Sequence, residues 1–294
     1  MVSGHTNITG ACYAIVKSAM VTIFFMCKFE RKKMRLLFLL FGILPVSIAH
    51  AQTIPFTIGE VQQLRSNELN ETRTLNIYLP EGYQKNAQQQ YPVIYLLDGS
   101  ANEDFLHMAG LVQFLTMIEQ MPPTIVVGIA NVDRKRDFTF PTTIEADKKA
   151  YPTTGHSAPF IRFLEKELQP YVKQHFRTND TTTLIGQSLG GLLATTVLAE
   201  RPQLFSRYVI ISPSLWWDNE SLLAKVKPPF AKAKIFIAVG KEGKQMEDDA
   251  KALAAKLQAA KAAVTFVPMP AENHLTILHN AAYKALQRLN APKK

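Results

Sequence analysis

Residues Thr181 to Gly191 read Thr-Thr-Thr-Leu-Ile-Gly-Gln-Ser-Leu-Gly-Gly, and a helix-forming run, Leu192 to Glu200, follows at once. A short β-branched and apolar run thus feeds a Gly-x-Ser-x-Gly pentapeptide that opens directly into a helix. That is the strand–turn–helix context of a nucleophile elbow. The turn is tight enough to hold its serine in a strained backbone conformation, and Gly186 and Gly190 lack the side chains that would clash around it. The serine hydroxyl of Ser188 is expected above a sheet edge with a helix N-terminus beneath it. A plain Gly/Ser turn between strand and helix is the alternative, and the flanking pattern favours the elbow.

A serine hydroxyl is a weak nucleophile, so a base and an orienting acid are needed. The chain order for this elbow is Ser, then Asp or Glu, then His. Only His274 and His279 follow Ser188. His274 comes after the strand-like run Val264 to Met269 and the turn Pro270-Ala271-Glu272-Asn273, on the loop where a base is expected. His279 lies inside the helical stretch Thr276 to Leu289, so position selects His274. The acid is expected on the loop after Ile235 to Val239, which reads Gly240-Lys241-Glu242-Gly243. Glu242 is nearest the strand end and is preferred. Glu247 and Asp248 read equally well as acids in a first helical turn, and a Ser–His pair without an acid is a further option.

The oxyanion of such a reaction needs two backbone N–H donors. Leu189, next after the nucleophile, supplies one. The second is expected after the strand Pro92 to Leu97, where Asp98-Gly99-Ser100 follows, from the amide of Ser100.

The remaining pattern is strand–helix alternation. Thr57 to Leu64 and Thr74 to Leu79 read as early strands. Val93 to Leu97, Thr124 to Ile129, Thr183 to Gly186, Tyr208 to Ile211, Ile235 to Val239 and Val264 to Met269 read as six more. The later runs are continuously apolar, as parallel strands covered on both faces must be. Helices are expected over Gly110 to Met121, Ala158 to Phe176, Ser188 to Glu200 and Met246 to Ala260. Eight strands with the elbow after the fifth make an α/β-hydrolase plan: a mostly parallel sheet with helices on both faces. Only about twenty residues separate the sixth and seventh strands, which leaves room for a small lid or none.

Residues 1–51 read as an upstream extension and signal peptide, and 52–294 as the catalytic domain. Arg31-Lys32-Lys33-Met34-Arg35 is a basic n-region, Leu36 to Ile48 an apolar h-region, and Ala49-His50-Ala51 a small-x-small cleavage site. About thirteen apolar residues are too few to span a bilayer comfortably. Cleavage after Ala51 would put the mature protein in the periplasm or outside the cell, without stable membrane insertion. Met34 is the more usual kind of start for such a peptide. Cys12 and Cys27 are the chain's two cysteines, and both fall in the removed part. Residues 1–51 also hold six of the 33 basic and one of the 24 acidic residues, which leaves 27 against 23, a net of +4, for residues 52–294. That mild charge comes with no nucleic-acid-binding motif. No cofactor-binding loop and no metal-ligand spacing is evident, and His107 and His156 stand alone in the sequence.

Ile211-Ser212-Pro213-Ser214-Leu215-Trp216-Trp217 after the sixth strand resembles the Ser-Pro-Ser-Leu-Trp-Trp signature of a bacterial esterase family within the α/β hydrolases. That family holds the enterobactin- and salmochelin-type siderophore esterases and, more distantly, esterase D and feruloyl esterases. The likeness extends through Tyr95 to Gly99, Arg134 to Thr139, Phe163 to Tyr171, the elbow, and Glu272-Asn273-His274. The resemblance implies that Ser188 is the nucleophile, that His274 is the base, and that the Ser100 and Leu189 amides form the oxyanion hole. Gln187 stands where many relatives have His, and Leu189 differs from the usual residue of the siderophore hydrolases, some of which use a Ser–His dyad. The partner expected is a small-molecule ester, a trilactone siderophore first and a feruloyl, carbohydrate or simple carboxylic ester next. A non-catalytic binding member of the fold is the remaining class. Trp216 and Trp217 are candidates for stacking on an aromatic acyl group, with core packing as the alternative. Arg134 and Arg136 are candidates for meeting an anionic substrate, with a solvated charged loop as the alternative.

Overall fold

The computed structural model describes residues 53–230 and 232–291, so the stretch read as a leader lies outside the described residues. Eight strands form one sheet: β1 Glu60–Ser66, β2 Glu71–Tyr78, β3 Tyr91–Leu96, β4 Ile125–Ile129, β5 Thr178–Gln187, β6 Arg207–Ile211, β7 Lys234–Gly240 and β8 Ala263–Met269. Their spatial order is β1-β2-β4-β3-β5-β6-β7-β8. β1 pairs with β2, and β2 with β4, antiparallel; every pair from β4 to β8 is parallel. This is the eight-stranded α/β-hydrolase arrangement that the apolar runs imply.

Side chains alternate between the two faces of each strand, and both faces are dry. On one face Val93, Tyr95, Val127, Leu184, Tyr208, Ile210 and Ile237 join a single core cluster. On the other, Ile94, Leu96, Val126, Ile185, Val209, Ile211 and Phe236 join a second. The second face is covered by α1 Phe105–Met117 and, after β8, by α9 Ile277–Asn290. The first face is covered by α4 Ser157–Phe163, α5 Gln169–His175, α6 Leu189–Glu200 and α8 Lys244–Ala259. A parallel crossover is right-handed almost without exception. The chain steps one way from β3 to β4 and the other way from β5 onward, so the crossover helices fall on opposite faces. The reversal leaves a crevice at the carboxyl ends of β3 and β5, the place where open α/β sheets bind ligands.

Three short helices were not legible in the pattern: α2 Arg134–Phe138, α3 Glu145–Ala150 and α7 Ser221–Lys225. They are five or six residues long, below the length at which periodicity is informative, and local contacts hold them. Asp133, for instance, caps α2 by accepting from the Arg136 N–H. The stretch read as one helix, Ala158 to Phe176, is interrupted by a π turn at Leu164–Leu168 just before Pro170. Proline has no N–H and its ring presses on the carbonyl four residues back, so the preceding turn widens.

Arg73 of β2 is 1% exposed and is matched by Asp137, also buried, and by Glu71 at 2.6 Å. Its guanidinium lies over the Phe160 ring, 5.1 Å from the centroid. Asp137 belongs to α2, so this buried ion pair ties α2 to β2. Two charges removed from water persist only when they are paired and hydrogen-bonded, and here the pairing fixes the position of a helix at the crevice.

Asp249 of α8 is 4% exposed, and its Oδ2 has no hydrogen-bond partner among the described residues. Burial, with Glu220 and Asp248 nearby, pushes its carboxyl up to about 6. A folded-state value above the unfolded one favours the fold while the group is protonated, and that stability is lost as pH rises through about 6. Asp249→Asn is therefore expected to raise the melting temperature at pH 8 by an amount corresponding to on the order of 1 kcal/mol, with the advantage fading as pH falls below about 4. Thermal unfolding of the two proteins across pH measures it, and a gain independent of pH would exclude this cause.

Candidate active site

β5 runs straight into the elbow, and Ser188 sits at φ 60°, ψ −120°. The glycines around it do unequal work. A Cβ on Gly186 would lie 2.3 Å from the Gly190 carbonyl oxygen, and one on Gly191 would lie 2.9 Å from both Ile211 O and Pro213 Cα. On Gly190 it would meet side chains alone, an Asp98 carboxylate oxygen at 3.3 Å and Leu97 Cβ at 3.5 Å. The turn is thus closed by backbone on backbone at Gly186. The Ser188 N–H donates to Ile211 O at 3.0 Å, and the Ser188 carbonyl accepts from Leu192 N at 2.9 Å and Ser214 N at 3.0 Å.

His274 lies on the loop after β8. Its Nδ1 is 2.5 Å from Glu242 Oε2 on the loop after β7. The Glu242 side chain is 2% exposed, that of His274 41%. Burial alone would raise the Glu242 carboxyl, but bonds from His274, the Ser212 hydroxyl and the Gly240 N–H outweigh it, and the net shift is downward. Glu242 is therefore a carboxylate at neutral pH. A carboxylate can only accept, so the facing His274 Nδ1 is the donor in this bond, and in the neutral ring Nε2 is then the acceptor. Of the three acids considered, only Glu242 touches His274. Glu247 instead accepts from the Glu242 and Gly243 N–H groups, at 3.0 and 3.1 Å, and Asp248 pairs with Lys244.

The base loop is tied to both neighbours. The Gln187 side chain, one residue before Ser188, donates to the His274 carbonyl at 2.5 Å. Lys241 N donates to Glu272 O at 2.7 Å, and a Cβ on Gly240 would collide with that same oxygen at 2.7 Å. Ser188 and His274 line one cleft of about 370 Å³, together with Gln187, Leu275, Asp98, Glu103, Asp104 and Arg134. Within that cleft the Ser188 hydroxyl is partnered by the Ser214 hydroxyl at 3.3 Å and not by His274.

After β3, Asp98 takes a left-handed conformation, φ 56°. A Cβ on Gly99 would lie 2.4 Å from Gly128 Cα, so only glycine lets this loop pack on β4. Asn76 holds the Gly99 carbonyl at 2.7 Å. The amides of Ser100 and Leu189 have no acceptor among the described residues. Leu189 opens α6, where helical N–H groups are unpaired by geometry.

The expected substrate residues divide. Arg134 reaches the cleft, but it grips Asp98 with two bonds of 2.6 and 2.9 Å and also donates to Gln187 O at 3.3 Å. Arg136 does not face the site: it is held by Glu71 at 2.6 and 3.1 Å and by Asp137 at 2.7 Å. Its expected contact with an anionic substrate is corrected to a structural role, because two carboxylates on β2 and α2 claim it. Trp217 is likewise corrected. It is fully buried and donates from Nε1 to Phe140 O at 2.9 Å, so it is core. Trp216 remains partly exposed, against Tyr151 with ring centroids 6.2 Å apart. His107 is not alone: its Nδ1 lies 3.2 Å from Nδ1 of His279, across 172 residues of sequence. Burial and then His107 hold the His279 imidazole below its ordinary value. Among the described residues no group of three or more potential metal ligands converges, and no helix is long and apolar enough to cross a membrane. Ser212, Ser214 and Asp98 went unread as site residues. Ser212 and Ser214 stand in the Ser-Pro-Ser-Leu-Trp-Trp motif, and all three lie within three residues of the end of β3 or β6, which is the signal that could have found them.

The "Putative esterase" family model matches residues 66–274. The chain is 30% identical over 271 residues to the ferri-bacillibactin esterase BesA of Bacillus subtilis, covering 81% of this chain and 91% of that protein. An IroE-like serine hydrolase from Shewanella oneidensis superposes with a TM-score of 0.73 at 33% identity, over 80% of this chain and 82% of that one. The enterobactin esterase of Shigella flexneri shares the fold, with a TM-score of 0.66 at 22% identity over 82% of this chain and 60% of that one.

Proposed function

The chain belongs to the "Putative esterase" family and is a carboxylic ester hydrolase, and on that premise we propose that it works through an acyl-enzyme formed on Ser188. The observation that carries the reading is the His274–Glu242 pair, 2.5 Å apart, opening onto the same cleft as a serine at φ 60°. The Ser188 hydroxyl turns from Ser214 toward His274 Nε2, gives up its proton there and attacks the ester carbonyl. The Leu189 and Ser100 amides meet the oxyanion that develops. The imidazolium, balanced by the buried Glu242 carboxylate, returns the proton to the leaving alcohol. Water then repeats the sequence and releases the acid.

The substrate we assign first is a bulky ester of the trilactone-siderophore kind. The support is the name of the 30%-identical relative and a cleft whose lining side chains leave it open to solvent. One observation favours a second reading, a neutral feruloyl or simple carboxylic ester. The arginine in the cleft is matched by Asp98, while Glu103 and Asp104 add carboxylates to the lining. An anionic substrate therefore gains little from charge. The protein acts outside the cytoplasm, on the reading of residues 1–51 as a leader.

Ser188→Ala and His274→Ala are each expected to lower kcat by about 10³-fold or more, and Glu242→Gln by less, because members of such a unit fail together. Steady-state hydrolysis of a chromogenic ester, with folding checked by circular dichroism, measures this. Near-normal turnover of His274→Ala would remove His274 as the base.

Trp216→Ala is expected to lower kcat/KM for aromatic esters several-fold more than for acetyl esters, since stacking area is lost only for the former. Trp217→Ala, by contrast, removes a core side chain and should cost about 3–5 kcal/mol of stability with no preference between esters. Equal losses of Trp216→Ala on both substrate sets would exclude a stacking role.

Expressed with its leader, the protein is expected outside the cytoplasm with an N-terminus near Gln52. N-terminal sequencing of the exported form reads the cut. A protein retained whole on the membrane would replace export with anchoring.

A further inference from the structure

The loop leaving β6 touches both the nucleophile and the acid. Ser212 is fully buried at φ 42°, and its N–H donates to Ala238 O of β7 at 2.8 Å. Its hydroxyl donates to Glu242 Oε1, the oxygen turned away from His274, which also accepts the Gly240 N–H at 2.9 Å. Two residues on, Ser214 is 2% exposed. Its N–H donates to the Ser188 carbonyl at 3.0 Å, and its hydroxyl lies 3.3 Å from the Ser188 hydroxyl. Pro213 between them has a fixed φ and no N–H to satisfy. It lies so close under α6 that a Cβ on Gly191 would meet it at 2.9 Å.

We infer that Ser212-Pro213-Ser214 is a positioning bridge: Ser212 orients Glu242 and Ser214 orients the Ser188 hydroxyl, so one rigid tripeptide sets the distance between the two ends of the catalytic relay. Glu242 has two oxygens and one base to serve. With Oε1 committed to Ser212 and Gly240, Oε2 is left facing His274 Nδ1, and the carboxylate cannot rotate without breaking two bonds. Ser188 has the converse need. Its hydroxyl must be presented in one orientation, and the Ser214 hydroxyl, 3.3 Å away, is its side-chain partner among the described residues. Neither serine touches a substrate atom in this scheme. Both act through another residue, and the strained φ of Ser212 is the kind of local cost that a functional position carries.

The bridge rests on the reading of Ser188, His274 and Glu242 as the catalytic groups, and the test separates the two. The proteins compared are the wild type, Ser188→Ala, Glu242→Gln, Ser212→Gly, Ser214→Ala and the double variant Ser212→Gly/Glu242→Gln. Glycine is chosen at 212 because it removes the hydroxyl while easing the positive φ; Ser212→Ala serves as a second variant that keeps the strain. Ser212→Gly is expected to lower kcat about tenfold with KM unchanged, and the double variant to be no slower than Glu242→Gln alone, because the hydroxyl acts only through the carboxylate. Ser214→Ala is expected to lower kcat, and the rate of covalent labelling of Ser188 by a fluorophosphonate, by the same factor of about five to twenty. Ser212→Gly and Glu242→Gln losses that multiply in the double variant would make Ser212 a packing residue and overturn the bridge at that end. Ser214→Ala labelled as fast as wild type would overturn it at the other. A Ser188→Ala protein that still turns over would instead remove the catalytic reading on which the bridge stands.

Discussion

The backbone contact between Gly186 and Gly190 is the constraint on which the rest of the site depends. With no side chain at 186, the chain reverses from β5 into α6 at the cost of one strained residue, Ser188 at φ 60°. That strain persists because the neighbours over-determine it. The Ser188 N–H is held by β6, its carbonyl by α6 and by Ser214, and the preceding residue, Gln187, by the base loop and by Arg134. Three segments distant in sequence, the end of β6 with its loop, the loop of His274 and α2, converge on two consecutive residues. Ser188 is therefore placed by the carboxyl edge of the sheet and not by its own turn alone.

Charge reinforces the same geometry. Asp98 leaves β3 in a left-handed conformation and is gripped by Arg134, which in turn reaches the elbow at Gln187. Arg134 opens α2, and two residues along that helix Arg136 and Asp137 enter the buried network with Arg73 and Glu71. One five-residue helix, too short to be stable by itself, is thus anchored in the core at one end while bracing the cleft at the other. A buried ion pair is weak evidence for stability, since apolar replacements often match it, but removing one partner is costly. Its use here is to fix a position.

Much of the scaffold was legible in the sequence because period and burial follow directly from residue type. The six later strands are apolar runs, and the structure covers both faces of all but the edge strand β8. The elbow was legible for the same reason, since its glycines and flanks answer a local steric demand. What stayed hidden depends on which side of an element a residue faces, or on partners far away in the chain. Trp216 and Trp217 are adjacent and chemically identical, yet one is partly exposed and the other is core, because the turn after β6 points them differently. Arg134 and Arg136 part for the same reason on α2. Sequence favoured Glu242 over Glu247 only by its nearness to the strand end; the register that sets β7 beside β8 is what brings Glu242 to His274. The His107–His279 contact joins α1 to α9, two helices brought together on one face only by the reversal of strand order.

That reversal also explains why the cleft holds more negative than positive charge. The loop after β3 must turn sharply into α1, and Asp98, Glu103 and Asp104 belong to that turn, near the positive end of the helix, with their carboxylates on Asn131, Arg134 and His107. In the proposed mechanism the same segment also supplies the Ser100 amide. Carboxylates therefore line the cleft as a consequence of how the loop after β3 is built, and Arg134 offsets only Asp98 among them. Beside them stands Leu275, 92% exposed, next to the base and held out by an Asx turn in which Asn273 accepts the Leu275 N–H at 2.9 Å. A ligand entering here meets an apolar side chain on the base side and carboxylates on the oxyanion side. Binding free energy at such a mouth comes from apolar and aromatic surface, while net negative charge on the ligand works against it. The physical demand on a substrate is thus bulk and apolar area near the scissile carbonyl, with its charged groups kept clear of the loop after β3.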